Sequence, residues 1–403
     1  MLAFIDFETS LQIIKELAPK KTDIVELPLM QTLGFVLAED IKASENSPSK
    51  PTAAMDGYAM RHEDMVLGKL IIEGINPAGS DIAQAVEKGK CIKTFTGSLM
   101  PDGSDTLIPI ENVEVQGDSI VIVSSVPKGF SVRSIGENYA KDELLIPAGT
   151  KMDFVQIGVM ASLNIDKLRV YSKPKVAIFA TGSELLHLGE TQTSDAQIRS
   201  SNNYTLEAIV AKYGGIPLQL GCVKDNKTII THAMQKALRN SDVVVTTGGV
   251  SVGDFDFVKD VIKEIGFEVL FQGVNIKPGQ HIMLARKGDQ FILGLPGFAY
   301  SSTVTALLYL LPLIARFTDA HHQELRTIKA TLQESYAKKT NKTEFVACRI
   351  KSEHNRYLCD FGDKKLGSSA ILTNMLGPTA LMKLSSTDLS KHIGDEIDIL
   401  LFD

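Results

Sequence analysis

The sequence predicts a multi-domain α/β and β protein in which a doubly wound α/β domain stands between β-rich segments. The chain has 403 residues, so two to four domains are expected. Between about residues 173 and 320, short apolar strands alternate with helical segments, as in a parallel sheet with helices on both faces. On either side, in 53–140 and after 322, short alternating strands are separated by turn residues, which is typical of small β modules.

Composition is that of an ordinary globular protein, with 44% apolar and 22% charged residues. The net charge of −6 and the lack of any Lys/Arg block argue against a nucleic-acid partner. The four cysteines lie far apart, without zinc-ligand spacing, and are expected to be reduced thiols. The N-terminus does not resemble a signal peptide, and the longest apolar run, 306–315, is too short to span a membrane. A cytoplasmic protein without a membrane partner is therefore expected.

The N-terminal half predicts one helix, a linker, a β module and a second helix. Apolar spacing predicts a helix over 9–17, with Thr9 or Ser10 as its cap. The polar, proline-containing segment 46–52 reads as a linker. The strands expected in the β module are 70–72, 91–93, 106–109 and 119–123, followed by a strand–turn–helix pattern over 144–150 and 154–163.

The C-terminal half predicts the α/β domain and a terminal β domain. In the α/β domain, 281–284 is expected to form a hairpin with 291–293, and a helix is expected to begin near Ala299. After it, five strands predict a small barrel or sandwich. The strands expected in this half are 176–180, 218–222, 243–246, 291–295, 328–332, 345–350, 357–361, 380–384 and 396–401, and the helices are 203–213, 228–239 and 255–265.

The most informative segment is the glycine-rich loop 246–256, which follows a buried strand and leads into a helix. Its glycines permit tight turns and close approach of backbone N–H groups, and a helix N-terminus adds positive partial charge. Such a loop suits a phosphate or another oxyanion. Asp254 and Asp256 would repel a bare anion, so a metal ion or a reacting centre is implied beside it.

Two further loops follow strands of the same domain: 180–185 with Glu184, and the Gly-Leu-Pro-Gly segment 294–297. A fourth element, 276–279 with Lys277, precedes the expected strand 281–284. Ligands of open α/β sheets collect at the carboxyl ends of the strands, so Glu184, Asp254, Asp256 and Lys277 are expected to converge. Carboxylates with backbone donors suit a magnesium-bridged phosphate, and Lys277 can balance charge that develops in a transition state. Taken singly, each acidic residue also fits a helix cap or a solvated turn.

The β module offers a second group of polar residues. Asp56 lies in an Asp-Gly turn, Thr96 stands beside a glycine, and Arg133 is followed by Glu137. Each alone indicates no more than a turn. No histidine ligand motif and no nucleophile elbow is present. The residues alone therefore indicate an α/β domain that binds an anion or a nucleotide, with acidic residues at the entrance to the binding site.

Over nearly its whole length, the chain resembles the molybdopterin molybdenumtransferases, that is, the bacterial MoeA proteins and the E domain of gephyrin. The first and fourth of the shared motifs are the most specific. The motifs are Ala-Met-Asp-Gly-Tyr-Ala (54–59), Thr-Gly-x-x-x-Pro-x-Gly (96–103), Thr-Gly-Ser-Glu-Leu (181–185), Gly-Gly-Val-Ser-Val-Gly-x-x-Asp (248–256), Lys-Pro-Gly (277–279) and Leu-Pro-Gly (295–297).

The resemblance implies four domains. They are an elongated, discontinuous N-terminal α+β domain (1–45 with 141–172), an inserted β module (46–140), a Mog-like α/β molybdopterin-binding domain (173–322) and a C-terminal β-barrel (323–403). It implies a homodimer whose cleft lies between the α/β domain of one subunit and the β module of the other. It also implies a molybdopterin adenylyltransferase and molybdoenzyme chaperones as protein partners.

The implied reaction joins molybdate to the dithiolene of adenylylated molybdopterin, with Mg²⁺-dependent release of AMP. Glu184 and Asp256 are the expected magnesium ligands. The resemblance implies as catalytic residues Asp56, Glu184, Asp225, Asp256 and Lys277. It implies as substrate-binding residues Thr96, Arg133, Thr181, Gly182, Ser183, Gly248, Gly249, Ser251, Gly253, Pro296, Gly297, Arg349, Ser368 and Ser369.

The chain departs from the family pattern at four places. Asn138 replaces an aspartate, Gly273 stands near a usual basic residue, Gln280 replaces a frequent lysine, and Phe298-Ala299 replaces Asn-Pro. These changes remove up to two positive charges and one carboxylate from the expected site. A non-catalytic paralogue that binds molybdopterin or molybdate, and a molybdopterin adenylyltransferase, therefore stand as alternatives.

Overall fold

The structure is a computed structural model that describes residues 4–80, 84–250, 256–321 and 324–402. The chain divides into two compact units. The larger comprises Met1–Ala38, Gly149–Gly158 and Asp166–Asp403, and the smaller comprises Glu39–Ala148 and Val159–Ile165. The finer division into four domains stays a prediction. No helix among the described residues combines the length and apolar character needed to cross a membrane.

The larger unit begins with helix α1 (Phe7–Glu16), which buries Phe7, Ser10 and Ile14 on one face. Its cap is Asp6, whose Oδ1 accepts a hydrogen bond from the N–H of Thr9 at 2.7 Å. The prediction of a cap at Thr9 or Ser10 was therefore wrong, because the carboxylate three residues earlier satisfies the free N–H of the first turn. Two short strands, β1 (Ile24–Pro28) and β2 (Val36–Leu37), pair with β13 (Lys167–Tyr171).

The smaller unit contains a six-stranded sheet in the order β8-β5-β7-β6-β10-β9 and two strand pairs, β3–β12 and β4–β11. Segment 46–52 is not a free linker: Ser47 and Thr52 pair with Tyr139 and Arg133. The strands are β3 (Ile41–Lys42), β4 (Thr52–Ala53), β5 (Gly57–Met60), β6 (Lys69–Asn76), β7 (Lys90–Thr94), β8 (Thr106–Pro109), β9 (Val113–Gln116), β10 (Ser119–Ile122), β11 (Val132–Arg133) and β12 (Leu144–Ile146), and helix α2 (Phe154–Ser162) follows.

The α/β segment of the larger unit has a six-stranded sheet in the order β17-β14-β18-β22-β21-β19. The elements are β14 (Lys175–Thr181), β15 (Leu185–Leu186), β16 (Ile198–Arg199), α3 (Asn202–Lys212), β17 (Ile216–Val223), α4 (Lys227–Leu238), β18 (Val243–Thr247), α5 (Val258–Glu264), β19 (Glu268–Gln272), β20 (Ile276–Lys277), β21 (Met283–Lys287), β22 (Gln290–Leu295), α6 (Ala299–Thr305) and α7 (Leu311–Ala315).

Helices cover both faces of this sheet, as predicted. Val176 and Ile178 of β14 pack with α3, whereas Ala177 and Phe179 pack with α4 and α5 on the other face, because side chains alternate along a strand. The sheet is mixed rather than parallel throughout. Four strands are parallel, but β21 runs antiparallel to β22 and to β19, since a two-residue connection between β21 and β22 permits only a hairpin.

A continuous helical segment, 299–315, follows β22. Its middle turn, Ala306–Leu310, is π-helical and leads directly into α7, which has Pro312 in its first turn. Pro312 lacks the N–H that an α-helix requires at this position, and a wider turn immediately before it lets the helix continue. The proline interrupts the regular hydrogen-bond pattern without ending the helix.

The C-terminal segment of the larger unit forms a closed β-barrel, which settles the choice between barrel and sandwich. The strand order β24-β25-β23-β27-β26 closes on itself because β26 also pairs with β24. The short strand β20 pairs in parallel with the beginning of β24, with Lys277 beside Glu344. The strands are β23 (Arg326–Leu332), β24 (Thr343–Glu353), β25 (Arg356–Asp360), β26 (Thr379–Leu384) and β27 (Glu396–Leu401).

Candidate functional site

The carboxyl ends of β14, β18 and β22 lie side by side, because Ala180 pairs with Thr247 and Thr247 pairs with Leu295. The loops that carry Thr181–Glu184, Gly248–Gly249 and Pro296–Gly297 therefore begin at the same edge of the sheet. This is the edge at which parallel α/β sheets bind ligands. Ser251, Gly253 and Asp254, which the sequence also predicts here, lie outside the described residues.

Gly248 allows two of these loops to approach each other. Its φ is +86°, and a Cβ at this position would lie 2.8 Å from the carbonyl oxygen of Thr181. Its N–H donates to the carbonyl oxygen of Leu295 at 3.1 Å. Any side chain at residue 248 would push the 181–184 loop away from β18, so the glycine is required for close packing as well as for its backbone conformation.

The Thr-Gly-Ser-Glu loop is held to the end of β17 by Asp225. The N–H of Ser183 donates to Oδ2 of Asp225 at 3.0 Å, and the N–H of Asp225 donates to Oγ of Ser183 at 3.2 Å. Burial raises the pKa of the Asp225 carboxyl, and the negative charges of Glu184 and Asp256 raise it further, whereas the Ser183 N–H opposes both. Glu184 and Asp256 are therefore each close enough to Asp225 for their negative charges to act on it.

Asp256 also lies near the segment that follows Lys277. Burial lowers the pKa of His281, the positive charge of Lys342 lowers it further, and the negative charge of Asp256 opposes both effects. His281 is four residues after Lys277. Asp256 therefore lies close enough for its charge to act on His281, and the convergence of Lys277 with the carboxylates stays a prediction.

The Lys-Pro-Gly segment packs on the Leu-Pro-Gly loop. A Cβ at Gly279 would lie 2.3 Å from Cγ2 of Thr305 and 3.6 Å from Cγ of Pro296, and its φ is +93°. Glycine is thus needed at 279 because the segment crosses the helix that follows Pro296 at close range. This contact brings two of the predicted loops together.

Lys277 has a specific partner that the sequence analysis did not identify. Its Nζ lies 3.5 Å from Oε1 of Glu344, whose side chain is fully buried, whereas about a third of Lys277 (36%) is exposed. Glu344 also accepts hydrogen bonds from the hydroxyls of Tyr336 and Thr340, each at 2.7 Å. The buried carboxylate fixes the position of Lys277.

A cavity of about 270 Å³ opens beside this pair. Its walls include the predicted Ser368 and Ser369, and Ser369 accepts through its carbonyl oxygen from the N–H of Ser301 at 3.0 Å. Lys277 and Lys342 both line it. A larger cavity of about 600 Å³ elsewhere in the larger unit contains none of the predicted site residues. The smaller cavity is therefore the stronger candidate for a small oxyanion.

Arg349 is placed differently from the other predicted residues. Its Nε donates to Oδ1 of Asp360 at 2.8 Å, and it is not among the residues that line the cavity, although Ala347 of the same strand is. Asp360 raises the pKa of the Arg349 guanidinium by hydrogen bonding to its charged form. Arg349 thus belongs to an ion pair of the barrel with the buried carboxylate of Asp360.

Two departures from the family pattern have local structural explanations. At Gly273, a Cβ would lie 2.4 Å from the ring of Phe4, which meets the His281 ring edge to face at a centroid distance of 5.7 Å. Phe4 therefore occupies the space that a side chain at 273 would need. Gln280 accepts a hydrogen bond from Nζ of Lys342, so a cation lies beside the position at which the family often has one.

In the smaller unit, the predicted polar residues form two hydrogen-bonded pairs, Asp56–Thr96 and Arg133–Glu137. Oδ1 of Asp56 accepts hydrogen bonds from the N–H and hydroxyl of Thr96, at 2.9 and 2.7 Å, and these bonds lower the pKa of Asp56, the N–H contributing most. Nε of Arg133 donates to Glu137 at 3.0 Å. Gly57 belongs to β5 and not to a turn: its Cβ would lie 2.3 Å from the carbonyl oxygen of Ile108.

The acidic group of the larger unit fits magnesium. Glu184, Asp225 and Asp256 supply only oxygen ligands, and their mutual repulsion at Asp225 would be relieved by a cation. Among the described residues, no group of three His, Cys, Asp or Glu side chains is close enough to hold a metal by itself. A magnesium ion at these carboxylates would therefore need substrate phosphates and water to complete its coordination.

Replacing Asp225 by asparagine is expected to raise thermal stability at neutral pH by about 1–3 °C. The raised pKa of Asp225 means that its charged form is disfavoured in the folded protein. The free-energy cost of holding Asp225 ionised in the folded protein is therefore fully present above its folded-state pKa. It disappears as the pH falls below the pKa of the carboxyl in the unfolded chain, about 4. Melting curves from pH 4 to 8 should show the two proteins converging at the acid end. A constant difference at every pH would contradict this account, and Asp195→Asn on an exposed loop is the matched control.

Comparison with known families gives matches over most of the chain. Residues 5–164 match the MoeA N-terminal region (domain I and II), and residues 177–316 match a probable molybdopterin binding domain.

Among curated relatives, the molybdopterin molybdenumtransferase of a Nostoc species is 32% identical over 318 residues, which cover 75% of this chain and 72% of the relative. That of Haemophilus influenzae is 32% identical over 303 residues, covering 75% and 74%. Among solved structures, the molybdopterin biosynthesis MoeA protein of Pyrococcus horikoshii OT3 matches with a TM-score of 0.84 at 28% identity, covering 99% of this chain and 100% of that one. The chain is therefore similar to these proteins in both sequence and fold.

Proposed function

Because the chain belongs to the molybdopterin molybdenumtransferase family, we propose that it joins molybdate to the dithiolene of adenylylated molybdopterin, with Mg²⁺-dependent release of AMP. The family membership itself identifies a transferase of molybdenum cofactor biosynthesis that inserts molybdenum. The nucleotide substrate, the magnesium requirement and the residue roles are the proposal.

The observation that carries the proposal is the grouping of an acidic cluster with a lysine-lined cavity in the same unit. The charges of Glu184 and Asp256 both raise the pKa of Asp225, and the charge of Asp256 acts on His281, which follows the cavity residue Gln280. The acidic cluster suits a metal-bridged adenylate phosphate, and the cavity at Lys277 suits a small oxyanion. The phosphate of an adenylylated substrate requires the first kind of site, and molybdate requires the second.

Each group then has a task in the reaction. Gly248 and Gly249 carry no side chain, so phosphate oxygens can approach this edge of the sheet closely, although the N–H groups of Gly182, Ser183 and Gly248 are already bonded within the protein. Lys277, fixed by Glu344, balances negative charge on the oxyanion. Magnesium, held by Glu184 and Asp256, would polarise the adenylate phosphate. The carboxylates would orient a water molecule that attacks the adenylate phosphorus; the P–O bond to the molybdopterin phosphate breaks, and AMP leaves with the oxygen of the water. The two dithiolene sulfurs then replace one oxygen of molybdate, which leaves as water with the two thiol protons.

We further propose that the protein acts as a cytoplasmic homodimer in which Asp56, Thr96 and Arg133 of a second copy take part in the same reaction. The Asp56–Thr96 pair supports this role, because its carboxylate is exposed and its lowered pKa keeps it ionised. A charged group held in one orientation on a surface is available to a substrate.

A single assay separates this function from the two alternatives. Purified protein is mixed with adenylylated molybdopterin, molybdate and Mg²⁺, and both AMP release and molybdenum cofactor are measured. The proposal expects equal amounts of both products and no reaction without Mg²⁺. Binding of the substrates without AMP release would favour a non-catalytic binding protein. Consumption of ATP with free molybdopterin would favour an adenylyltransferase. A parallel reaction with tungstate measures the choice of oxyanion.

A further inference from the structure

The two lysines that line the 270 Å³ cavity differ in how their charges are compensated. Lys277 faces the buried carboxylate of Glu344 at 3.5 Å, so much of its charge is balanced within the protein. Lys342 donates to Gln280, a neutral amide. Among the described residues, no carboxylate lies within ion-pair distance of Lys342. The net positive charge of the cavity therefore comes mainly from Lys342.

The orientation of Gln280 follows from its two neighbours. Its Oε1 accepts from Nζ of Lys342, so its Nε2 faces Nε2 of His281 at 3.0 Å. An amide N–H can only donate, so this ring nitrogen of His281 accepts and carries no proton. The lowered pKa of His281 agrees with a neutral ring. His281 thus holds the amide of Gln280, and the amide holds the ammonium of Lys342.

From this arrangement we propose that Lys342 is an oxyanion-binding residue of the cavity and that Gln280 positions it. Lys342 enters from the barrel segment 340–347 and Lys277 from the segment 276–280. A tetrahedral dianion between them would receive charge-assisted hydrogen bonds from two sides. The inference rests on the proposed function, since it assumes that the oxyanion is bound in this cavity.

Isothermal titration of the full-length protein with molybdate tests this role. Lys342→Met is expected to weaken molybdate binding about 10-fold, and Lys342→Arg is expected to retain most of the affinity. The KM for molybdate should rise by a similar factor, with little change in kcat at saturating molybdate. Lys339→Met, which removes an equal charge from an exposed neighbouring position, is the matched control.

The decisive variant moves the charge instead of removing it. The double variant Lys342→Met, Gln280→Lys places an ammonium at the other end of the same hydrogen bond, and it should restore molybdate affinity to within about threefold of the wild-type value. If Lys342 served only to hold the two segments together, the exchange would not restore binding and Lys342→Met would lower the melting temperature. That result would overturn the inference.

The proposed function can fail separately. The double variant Lys277→Met, Glu344→Gln removes the other cation together with its counter-ion. If this variant loses molybdate binding while Lys342→Met does not, the role of Lys342 is wrong and the cavity remains the oxyanion site. If neither variant changes the affinity, molybdate binds elsewhere. In that case the role of Lys342 and the assignment of the cavity as the oxyanion site are both wrong.

Discussion

Asp256→Asn is expected to reduce AMP release and molybdenum insertion by about 100-fold or more while the protein remains folded. Asparagine keeps the size of the side chain but removes the charge that repels Asp225 and that would attract magnesium. Loss of that charge should therefore harm catalysis without harming stability. AMP release at saturating substrate, measured beside thermal unfolding, checks both parts.

Two comparisons sharpen this test. Asp260→Asn, on the exposed side of α5, makes the same chemical change four residues away and should leave activity unchanged. Titration with Mg²⁺ should show that wild type is stabilised by the ion more than Asp256→Asn. Full activity in Asp256→Asn would remove Asp256 from the mechanism, and an unfolded variant would show that its role is structural.

The same variant can test the proposed dimer. Asp56→Asn and Asp256→Asn each inactivate both sites of their own homodimer. If one site uses Asp56 of one subunit and Asp256 of the other, mixed dimers contain one intact site. Random reassociation of equal amounts should then recover about one quarter of wild-type activity. No recovery despite exchange of subunits would contradict a shared site.

The sequence predicted those parts of the site that depend on local conformation. Glycine at 248 and the ends of three adjacent strands are set by strand length and turn geometry, which are visible in the residue pattern. The hairpin β21–β22 and the helix beginning at Ala299 were predicted for the same reason. The boundary of α1 was missed, because Asp6 caps the helix from a position that the apolar spacing does not indicate.

The contacts that depend on tertiary pairing could not be predicted from the residues. Glu344 is the second residue of β24, whose sequence is that of an ordinary strand, and only the pairing of β20 with β24 places it beside Lys277. Arg349 lies on that same strand, but the neighbouring β25 supplies Asp360 as its partner. Lys342 is held beside the cavity by a hydrogen bond to Gln280, which is 62 residues away in the sequence. No local pattern carries the information about which strands meet.

Lys277→Met is expected to lower the free energy of unfolding of the larger unit by about 3 kcal/mol, in addition to abolishing activity. The loss arises because Glu344 is fully buried and Lys277 is its nearest cation. Removing one member of a buried pair leaves the other charge desolvated, although Tyr336 and Thr340 still donate to it. Chemical denaturation of the variant measures the stability part.

The double variant Lys277→Met, Glu344→Gln separates the two effects of Lys277. Without the buried charge, the cost of losing the lysine should fall to about 1 kcal/mol or less, because the glutamine amide still offers a hydrogen-bond acceptor. Activity should not return, since the oxyanion has lost a cation that the glutamine cannot replace. Recovery of activity along with stability would mean that Lys277 acts only by neutralising Glu344, and the reaction would then have to draw its positive charge from Lys342.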